Sequence, residues 1–169
     1  MKKINPLLLF SLTTQIVFSQ DYLKTAPVQI ADGMGNHHPQ IELTNDGRAN
    51  VTWTDPSSKN VYFAKHNGVD GFNSPVKLNP DGLAIASYNW SGPDFSIEGE
   101  NVYVVFRAEN MQSYLVKSTD NGVTFGDTVR IASDGALFPF YPDVAVLRDT
   151  VYATFMNHVD DAGSLPNYV

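Results

Sequence analysis

The sequence contains no cysteine, few cationic side chains and no long uninterrupted apolar run. Without cysteine the chain can form neither disulfides nor a cysteine-linked lipid anchor, so its stability must come from an apolar core. There are 11 Lys and Arg residues against 18 Asp and Glu, which gives a formal net charge of −7 at pH 7. Nucleic acid and anionic membranes are therefore not expected as partners, because both repel an acidic surface. With 43% hydrophobic and 17% charged residues, we expect a folded chain rather than a disordered one.

The N-terminal residues have the pattern of a secretory signal peptide. Lys2 and Lys3 precede apolar segments at residues 7–10 and 16–18. These segments are too short, and too interrupted by Ser, Thr and Gln, to form a convincing membrane span. We therefore expect residues 1–20 to be a signal peptide and the mature protein to be secreted or periplasmic, with no membrane association after removal of the signal. The alternative is an uncleaved N-terminal helix.

A pattern of proline, short apolar segments and turns recurs about every fifty residues. It begins at Pro39, Pro93 and Pro142, each followed by a turn and a second apolar segment that ends on an aromatic residue. Third and fourth segments follow in the first two units, and a third segment begins at residues 167–169. Four short strands per unit, repeated at this spacing, are typical of β-propeller blades. A β-sandwich also has short strands, but they do not repeat in register.

The repeat predicts an all-β chain of four-stranded antiparallel blades within residues 21–169. The blades span about residues 39–79, 93–132 and 142–169, and the last is incomplete. A further strand, similar to the fourth strand of a blade, is expected at residues 26–30. About two and a half blades cannot close a ring that usually needs four to eight. We therefore expect the N-terminal piece of a longer propeller; the alternative is a small lectin that assembles one ring from several chains.

One turn in the second unit has an unusually specific composition. The Asp120 carboxylate can accept backbone N–H bonds, the Ser118 hydroxyl can add another, and Gly122 can adopt a positive φ. Phe125 can then fold back as an apolar plug over the hairpin. This pattern resembles the Asp-box of the sialidase-type bacterial neuraminidase repeat, Ser-x-Asp-x-Gly-x-Thr-Trp, with Phe in the place of Trp. A worn copy at residues 65–72 keeps the final aromatic but lacks the Ser and the Asp.

The resemblance implies a six-bladed sialidase-like propeller whose Asp-boxes are structural and whose pocket lies on the opposite face. It also implies a glycoside hydrolase with three arginines for the sialate carboxylate, a Tyr–Glu nucleophile pair and an Asp acid/base. None of the arginines of this chain lies in the Arg-Ile-Pro-like segment of that family, so no catalytic residue is assigned. The alternative function is a non-catalytic glycan- or protein-binding propeller. The arginines are Arg48, Arg107, Arg130 and Arg148.

Ligand-binding candidates come from the loops that a propeller places on the face opposite the Asp-box. Aromatic rings can stack on sugars, carboxylates can accept hydroxyl protons, and arginine can bind a carboxylate through two bonds. The rings can instead fill gaps between blades, and the loop carboxylates can simply be solvated. We expect a glycan or an extracellular protein as the partner, with no cofactor and no metal. The candidates are Arg107, Glu109, Asp55, His38, Trp90, Tyr141 and His158.

Overall fold

The computed structural model describes residues 28–31, 35–88, 91–131 and 139–157. These residues form ten β-strands, which pair only with antiparallel neighbours. The strands make two four-stranded sheets and one two-stranded sheet. The predicted all-β, antiparallel chain is therefore confirmed for the described residues. No helix of this part of the chain is long and apolar enough to cross a membrane.

The first sheet contains β1 (His37–Leu43), β2 (Ala49–Asp55), β3 (Asn60–Lys65) and β4 (Val76–Lys77), paired in chain order. Chain-order pairing follows from short connections, because an antiparallel neighbour needs only a tight turn. Between β1 and β2 that turn includes Gly47 at a φ of 77°, a conformation that glycine adopts at no steric cost.

The second sheet repeats this arrangement with β5 (Asp94–Glu98), β6 (Asn101–Arg107), β7 (Ser113–Ser118) and β8 (Val129–Arg130). Its first turn also includes a glycine, Gly99, at a φ of 61°. The two fourth strands are only two residues long, so each sheet ends on a short edge. Short edge strands present few unpaired backbone groups for pairing with another chain.

The third sheet contains β9 (Pro139–Leu147) and β10 (Thr150–Asn157). The third strand expected at residues 167–169 lies outside the described residues. The strand expected at residues 26–30 is wrong for its described part, because residues 28–30 form no strand. Ile30 instead packs its side chain on the first sheet, so apolar contact rather than strand pairing holds this segment.

Each sheet has two distinct faces, because alternate side chains of a strand point in opposite directions. We call face A the one that carries the aromatic residue near the end of the second strand. This residue is Trp53 in the first sheet, Phe106 in the second and Phe155 in the third. Face B is the opposite one, and in the first sheet it carries Val61 and Phe63 of β3.

Face B of the first sheet packs against face A of the second. Val61 and Phe63 are fully buried in one cluster with Phe95, Val104 and Phe106. Burying side chains of this size stabilises a fold by roughly 1.5–3 kcal/mol each. This contact is therefore the main apolar core of the described chain.

The same contact recurs between the second and third sheets. Face B of the second sheet carries Tyr103 and Val105, which are buried against Val144 of β9, with Val146 partly buried beside them. The sheets are thus stacked in one direction, with face A of each later sheet on face B of the one before it.

Candidate functional site

The turn at residues 118–125, which resembles an Asp-box and is called by that name below, is held by its own side chains. The Ser118 hydroxyl donates to Asp120 Oδ1 at 2.7 Å and accepts the backbone N–H of Gly122 at 2.8 Å. Asp120 Oδ1 also accepts the backbone N–H groups of Val123 at 3.1 Å and Thr124 at 2.8 Å. The Thr124 hydroxyl and these other donors hold the pKa of the Asp120 carboxyl well below its usual range. Such a carboxylate stays ionised and bonded to its turn, as a structural residue would.

The turn also fastens the second sheet to the first. Gly122 has a φ of 78°, and a Cβ at this position would overlap the Phe63 ring of β3. Phe125 contributes a ring whose centroid lies 5.3 Å from that of Phe63, edge to face. Phe125 is half-buried and packs on the core cluster that the first and second sheets share, so its ring covers the junction between them.

The worn copy in the first sheet forms a similar turn with a different side chain. Asn67 Oδ1 accepts the backbone N–H groups of Val69 at 2.8 Å and of Asp70 and Gly71 at 3.2 Å each. Its amide oxygen thus replaces the Asp120 carboxylate. Phe72 packs on face A of the first sheet. The loss of Ser and Asp has changed the donors and acceptors of the turn without removing it.

Contacts between loops show which connections lie at each end of the sheets. In the second sheet the N–H of Asn121, in the Asp-box, donates to the carbonyl of Glu100 in the β5–β6 turn at 2.7 Å. At the other end Lys59, between β2 and β3, forms an ion pair of 2.9 Å with Glu109, between β6 and β7. First-to-second and third-to-fourth connections therefore share one end of the second sheet, and second-to-third connections lie at the other, as the sequence predicted.

A pocket of about 340 Å³ lies where the beginnings of β1, β5 and β9 meet, at the end away from the Asp-box. Each of these first strands contributes the residue that follows its repeated proline. These residues are Gln40, Asp94 and Asp143. Two of the predicted ligand-binding residues line the same pocket, His38 and Tyr141. The remaining lining residues are Gly92, Pro93 and Pro142.

Asp94 and Asp143 are neighbours in the lining of this pocket, close enough for their carboxyls to interact. Burial, together with the neighbouring Asp143, raises the pKa of Asp94 to about 6. Asp94 Oδ2 also accepts the backbone N–H of Val144 at 3.1 Å, which favours the ionised form and limits the rise. A pKa of about 6 means that Asp94 is mostly ionised at pH 7 and becomes protonated in a mildly acidic medium.

The backbone beside the pocket is strained at two equivalent positions. His38 and Tyr141 each precede a proline of the repeat, and their φ values are 51° and 49°. Positive φ is unfavourable for side chains of this size, and it persists only where surrounding contacts impose it. For His38 those contacts include a hydrogen bond between its Nε2 and the Tyr88 carbonyl, and packing against Gly92, where any Cβ would overlap His38.

Arg107 lies beside the pocket rather than in its lining. Only 5% of this residue is exposed, at the end of β6. Its guanidinium carbon is 4.2 Å from the centroid of the Phe140 ring and 5.8 Å from that of Tyr88. Burial lowers the pKa of Arg107. In this geometry Arg107 supports two aromatic residues that adjoin the pocket, at cation–π distances.

The other predicted site residues are not brought together. Asp55 accepts the hydroxyl protons of Ser57 at 2.6 Å and Ser58 at 2.7 Å, and it lines a separate pocket of about 240 Å³. Glu109 forms its ion pair on an exposed surface. Trp90 and His158 lie outside the described residues. Among the residues that are described, no three His, Asp or Glu side chains come together as a metal site would require.

Sequence reasoning missed Gln40, Asp94 and Asp143 as pocket residues. The repeated proline directly precedes β5 but lies inside β1 and β9, so it does not mark the first residue of each strand. The available signal was a polar residue directly after the proline in every unit. Comparisons of the chain with protein-family models and with curated proteins find no match.

Proposed function

We propose that the three sheets are successive blades of an Asp-box β-propeller and that the pocket of Asp94 and Asp143 binds a glycan. The strand order within each complete sheet and the repeated packing of face A on face B support the propeller. The turn at residues 118–125 supports assignment to the Asp-box class of propellers. It joins adjacent sheets, and it lies at the end away from the pocket.

The observation that carries the proposal is the convergence of three first strands on one pocket, each with a polar side chain after its proline. In a propeller the first strand of each blade is the innermost, so these side chains surround the central axis. Asp143 and Gln40 are exposed and can bond sugar hydroxyls, and Tyr141 is 44% exposed and can stack on a sugar ring.

The charge of the pocket favours an uncharged or cationic sugar over an acidic one. With a pKa of about 6, Asp94 is mostly ionised at pH 7, and its negative charge repels the carboxylate of a sialic acid. The lining residues of the described pocket include no arginine to offset this repulsion. The ligand class we propose is therefore a neutral or amino sugar.

Binding can be measured by calorimetry with neutral, amino and sialylated oligosaccharides, chosen after a glycan array. Tyr141→Ala and Asp143→Asn should each weaken binding at least tenfold, which corresponds to about 1.4 kcal/mol. Asp55→Asn removes a carboxylate of the same type outside the pocket, so its affinity should stay at the wild-type value. Unchanged affinity in both pocket variants would refute the assignment.

A second candidate, a sialidase-like glycoside hydrolase, is favoured by one observation. A carboxyl with a pKa of about 6, as in Asp94, can donate a proton to a leaving group and recover it near neutral pH. Glycosidases that use two carboxylates hold them roughly 5–9.5 Å apart, whereas Asp143 lies close enough to Asp94 to raise its pKa. This pair alone therefore lacks the spacing of a two-carboxylate mechanism, and another nucleophile would be required.

Fluorogenic sialosides and neutral glycosides test the hydrolase. If Asp94 is the general acid, Asp94→Asn should abolish turnover and leave glycan binding largely intact. Binding without turnover on any substrate would favour the non-catalytic propeller.

Export is tested separately: the signal peptide predicted at residues 1–20 implies that the purified native protein lacks Met1.

A further inference from the structure

Two asparagine–glycine dipeptides lie in the connections between the third and fourth strands of the first two sheets. One is Asn67–Gly68, between β3 and β4, and the other is Asn121–Gly122, in the Asp-box. The side-chain amide of an asparagine can be attacked by the main-chain nitrogen of the next residue, which releases ammonia. A glycine at that place leaves the nitrogen least hindered, because it carries no Cβ. Both dipeptides therefore meet the covalent requirement for deamidation, and their surroundings decide which one reacts.

His66 is placed to remove the proton from the attacking nitrogen of Gly68. The N–H of Gly68 donates to His66 Nδ1 at 2.9 Å, which is the reach that a general base requires. The main chain of His66 is fixed by a bond of 3.0 Å from its N–H to the Ala49 carbonyl. Its ring packs edge to face on Phe72, with centroids 5.6 Å apart. The base is therefore held in position before any reaction begins.

The side-chain carbonyl of Asn67 is held by three backbone donors. Its Oδ1 accepts the N–H groups of Val69 at 2.8 Å and of Asp70 and Gly71 at 3.2 Å each. Attack on Asn67 Cγ places negative charge on this oxygen, and N–H groups already aimed at it stabilise the transition state. Asn67 and Gly68 are both exposed, so water can reach the product of the attack.

The Asn121–Gly122 dipeptide has neither arrangement. The N–H of Gly122 donates to the Ser118 hydroxyl at 2.8 Å, and a hydroxyl oxygen is a much weaker base than an imidazole nitrogen. Asn121 Oδ1 is buried and accepts no hydrogen bond, so no donor would stabilise charge on it. Gly122 is also buried, which restricts access of water. The chain thus contains its own comparison for the reactivity of Asn67.

We propose that Asn67 is a site of self-catalysed deamidation, with His66 as the general base and the N–H groups of residues 69–71 as the oxyanion hole. The Gly68 nitrogen forms a bond to Asn67 Cγ and gives its proton to His66 Nδ1. The bond between Cγ and Nδ2 then breaks, and His66 returns the proton to Nδ2 as ammonia leaves. Water hydrolyses the resulting succinimide to a carboxylic acid. This modification does not depend on the proposed glycan binding.

The three donors also decide which acid forms. Hydrolysis at Cγ breaks its bond to the Gly68 nitrogen and gives aspartate, whereas hydrolysis at the main-chain carbonyl gives isoaspartate. Because the donors hold the oxygen on Cγ, attack of water at Cγ is favoured and aspartate is the expected product. Its carboxylate then accepts backbone N–H bonds as Asp120 does in the Asp-box. Deamidation therefore makes the turn of the first sheet chemically similar to that of the second.

Peptide mapping by mass spectrometry of the folded full chain, sampled over weeks at neutral pH, measures deamidation at each asparagine. Synthetic peptides of residues 63–73 and 117–127 give the rates of the same two dipeptides without the fold. Asn67 should react faster in the folded chain than in its peptide, whereas Asn121 should react more slowly than in its peptide. Electron-transfer fragmentation separates aspartate from isoaspartate, and aspartate should predominate at position 67.

Substitution of His66 tests the general base. His66→Gln keeps an oxygen that can accept the Gly68 N–H but removes the base, and His66→Ala removes both. Each should slow deamidation of Asn67 at least tenfold, because a general base typically contributes roughly 10²–10⁴-fold. Lys65→Gln is the matched control, because it removes the neighbouring basic side chain and leaves the Gly68–His66 bond in place; its rate should equal that of the wild type. Circular dichroism establishes that each variant is folded.

Three outcomes would overturn the proposal. The first is an Asn67 that reacts no faster in the folded wild type than in its peptide, a comparison that needs no variant. The second is an unchanged rate in both His66 variants. The third is a product that is mostly isoaspartate, which contradicts the role of the three donors. Glycan binding by the pocket variants is a separate measurement, so either proposal can fail alone.

Discussion

The carboxyl pair of Asp94 and Asp143 predicts an unusual dependence of stability on pH. The pKa of Asp94 rises from its ordinary value of 3.8 to about 6 in the folded protein, mainly because of burial and then because of Asp143. Folding therefore disfavours the ionised form of Asp94. The resulting cost is absent below about pH 4, grows as the pH rises to about 6, and stays constant above that.

The perturbation is Asp94→Asn, which removes the ionisable group and keeps an oxygen able to accept the N–H of Val144. A shift of about two pKa units corresponds to about 3 kcal/mol. Since Asp94 is only half-buried, solvent screens part of this cost, and about 1–2 kcal/mol is the reasonable expectation. The variant should therefore be more stable than the wild type by about 1–2 kcal/mol at pH 8 and nearly equal to it at pH 4.

Thermal unfolding at pH 4 and pH 8 measures the difference. For a chain of this size about 1–2 kcal/mol corresponds to a rise in Tm of roughly 2–8 °C. Asp149→Asn is the control, because it removes an exposed carboxylate from the β9–β10 turn and changes the net charge equally. The reasoning is refuted if Asp94→Asn gives the same change at both pH values, or no more change at pH 8 than the control.

Three further predictions concern the Asp-box. Gly122→Ala should destabilise the protein by about 2–5 kcal/mol, because it adds the cost of a positive φ to an overlap with Phe63. Gly99→Ala, at a positive φ with nothing within 4 Å of its Cβ, should cost only about 1–2 kcal/mol in the same denaturant titration. Ser118→Ala should lower the free energy of unfolding by about 1–3 kcal/mol, because it leaves the buried N–H of Gly122 without its acceptor. An unchanged free energy of unfolding would show that water replaces the hydroxyl. Asp120→Asn should be less stable than the wild type at pH 7, and the difference in stability should shrink as the pH falls below about 4. The reason is that the lowered pKa of Asp120 contributes stability that protonation of the carboxylate removes. A difference that is constant from pH 7 to pH 2 would contradict the assigned role of the Asp120 charge.

The strands and turns of the sheets could be predicted from the sequence because the residue patterns that specify them are local. Alternating apolar residues place side chains on the two faces of a strand, and Gly47 and Gly99 permit the turns between strands. The turn at residues 118–125 could be predicted for the same reason, since the hydrogen bonds of Asp120 reach no further than four residues along the chain. Even the weaker copy at Asn67 follows from local chemistry, because an amide oxygen accepts the same backbone bonds as a carboxylate.

The wrongly predicted strand at residues 26–30 shows that a local residue pattern is not sufficient to form a strand. Its alternation of apolar and polar residues permits a strand, but a strand also needs a partner with free backbone groups. In the structure Ile30 finds apolar contact on the first sheet without such pairing. A sequence pattern specifies which side chains seek burial, and not whether an edge is available to pair with.

By itself, then, the sequence determined the strands of the three sheets, their turns and the turn hydrogen bonds of Asp120, all of which depend on contacts between near neighbours. Only the tertiary structure decided the composition of the pocket. Asp94 and Asp143 are 49 residues apart, and the pKa of Asp94 is raised because packing of the second sheet on the third brings β5 against β9 and buries its carboxyl beside Asp143. The same packing buried Arg107 between aromatic rings and left Asp55 and Glu109 elsewhere. Distances between residues far apart in the chain depend on how sheets stack, and no local pattern encodes them.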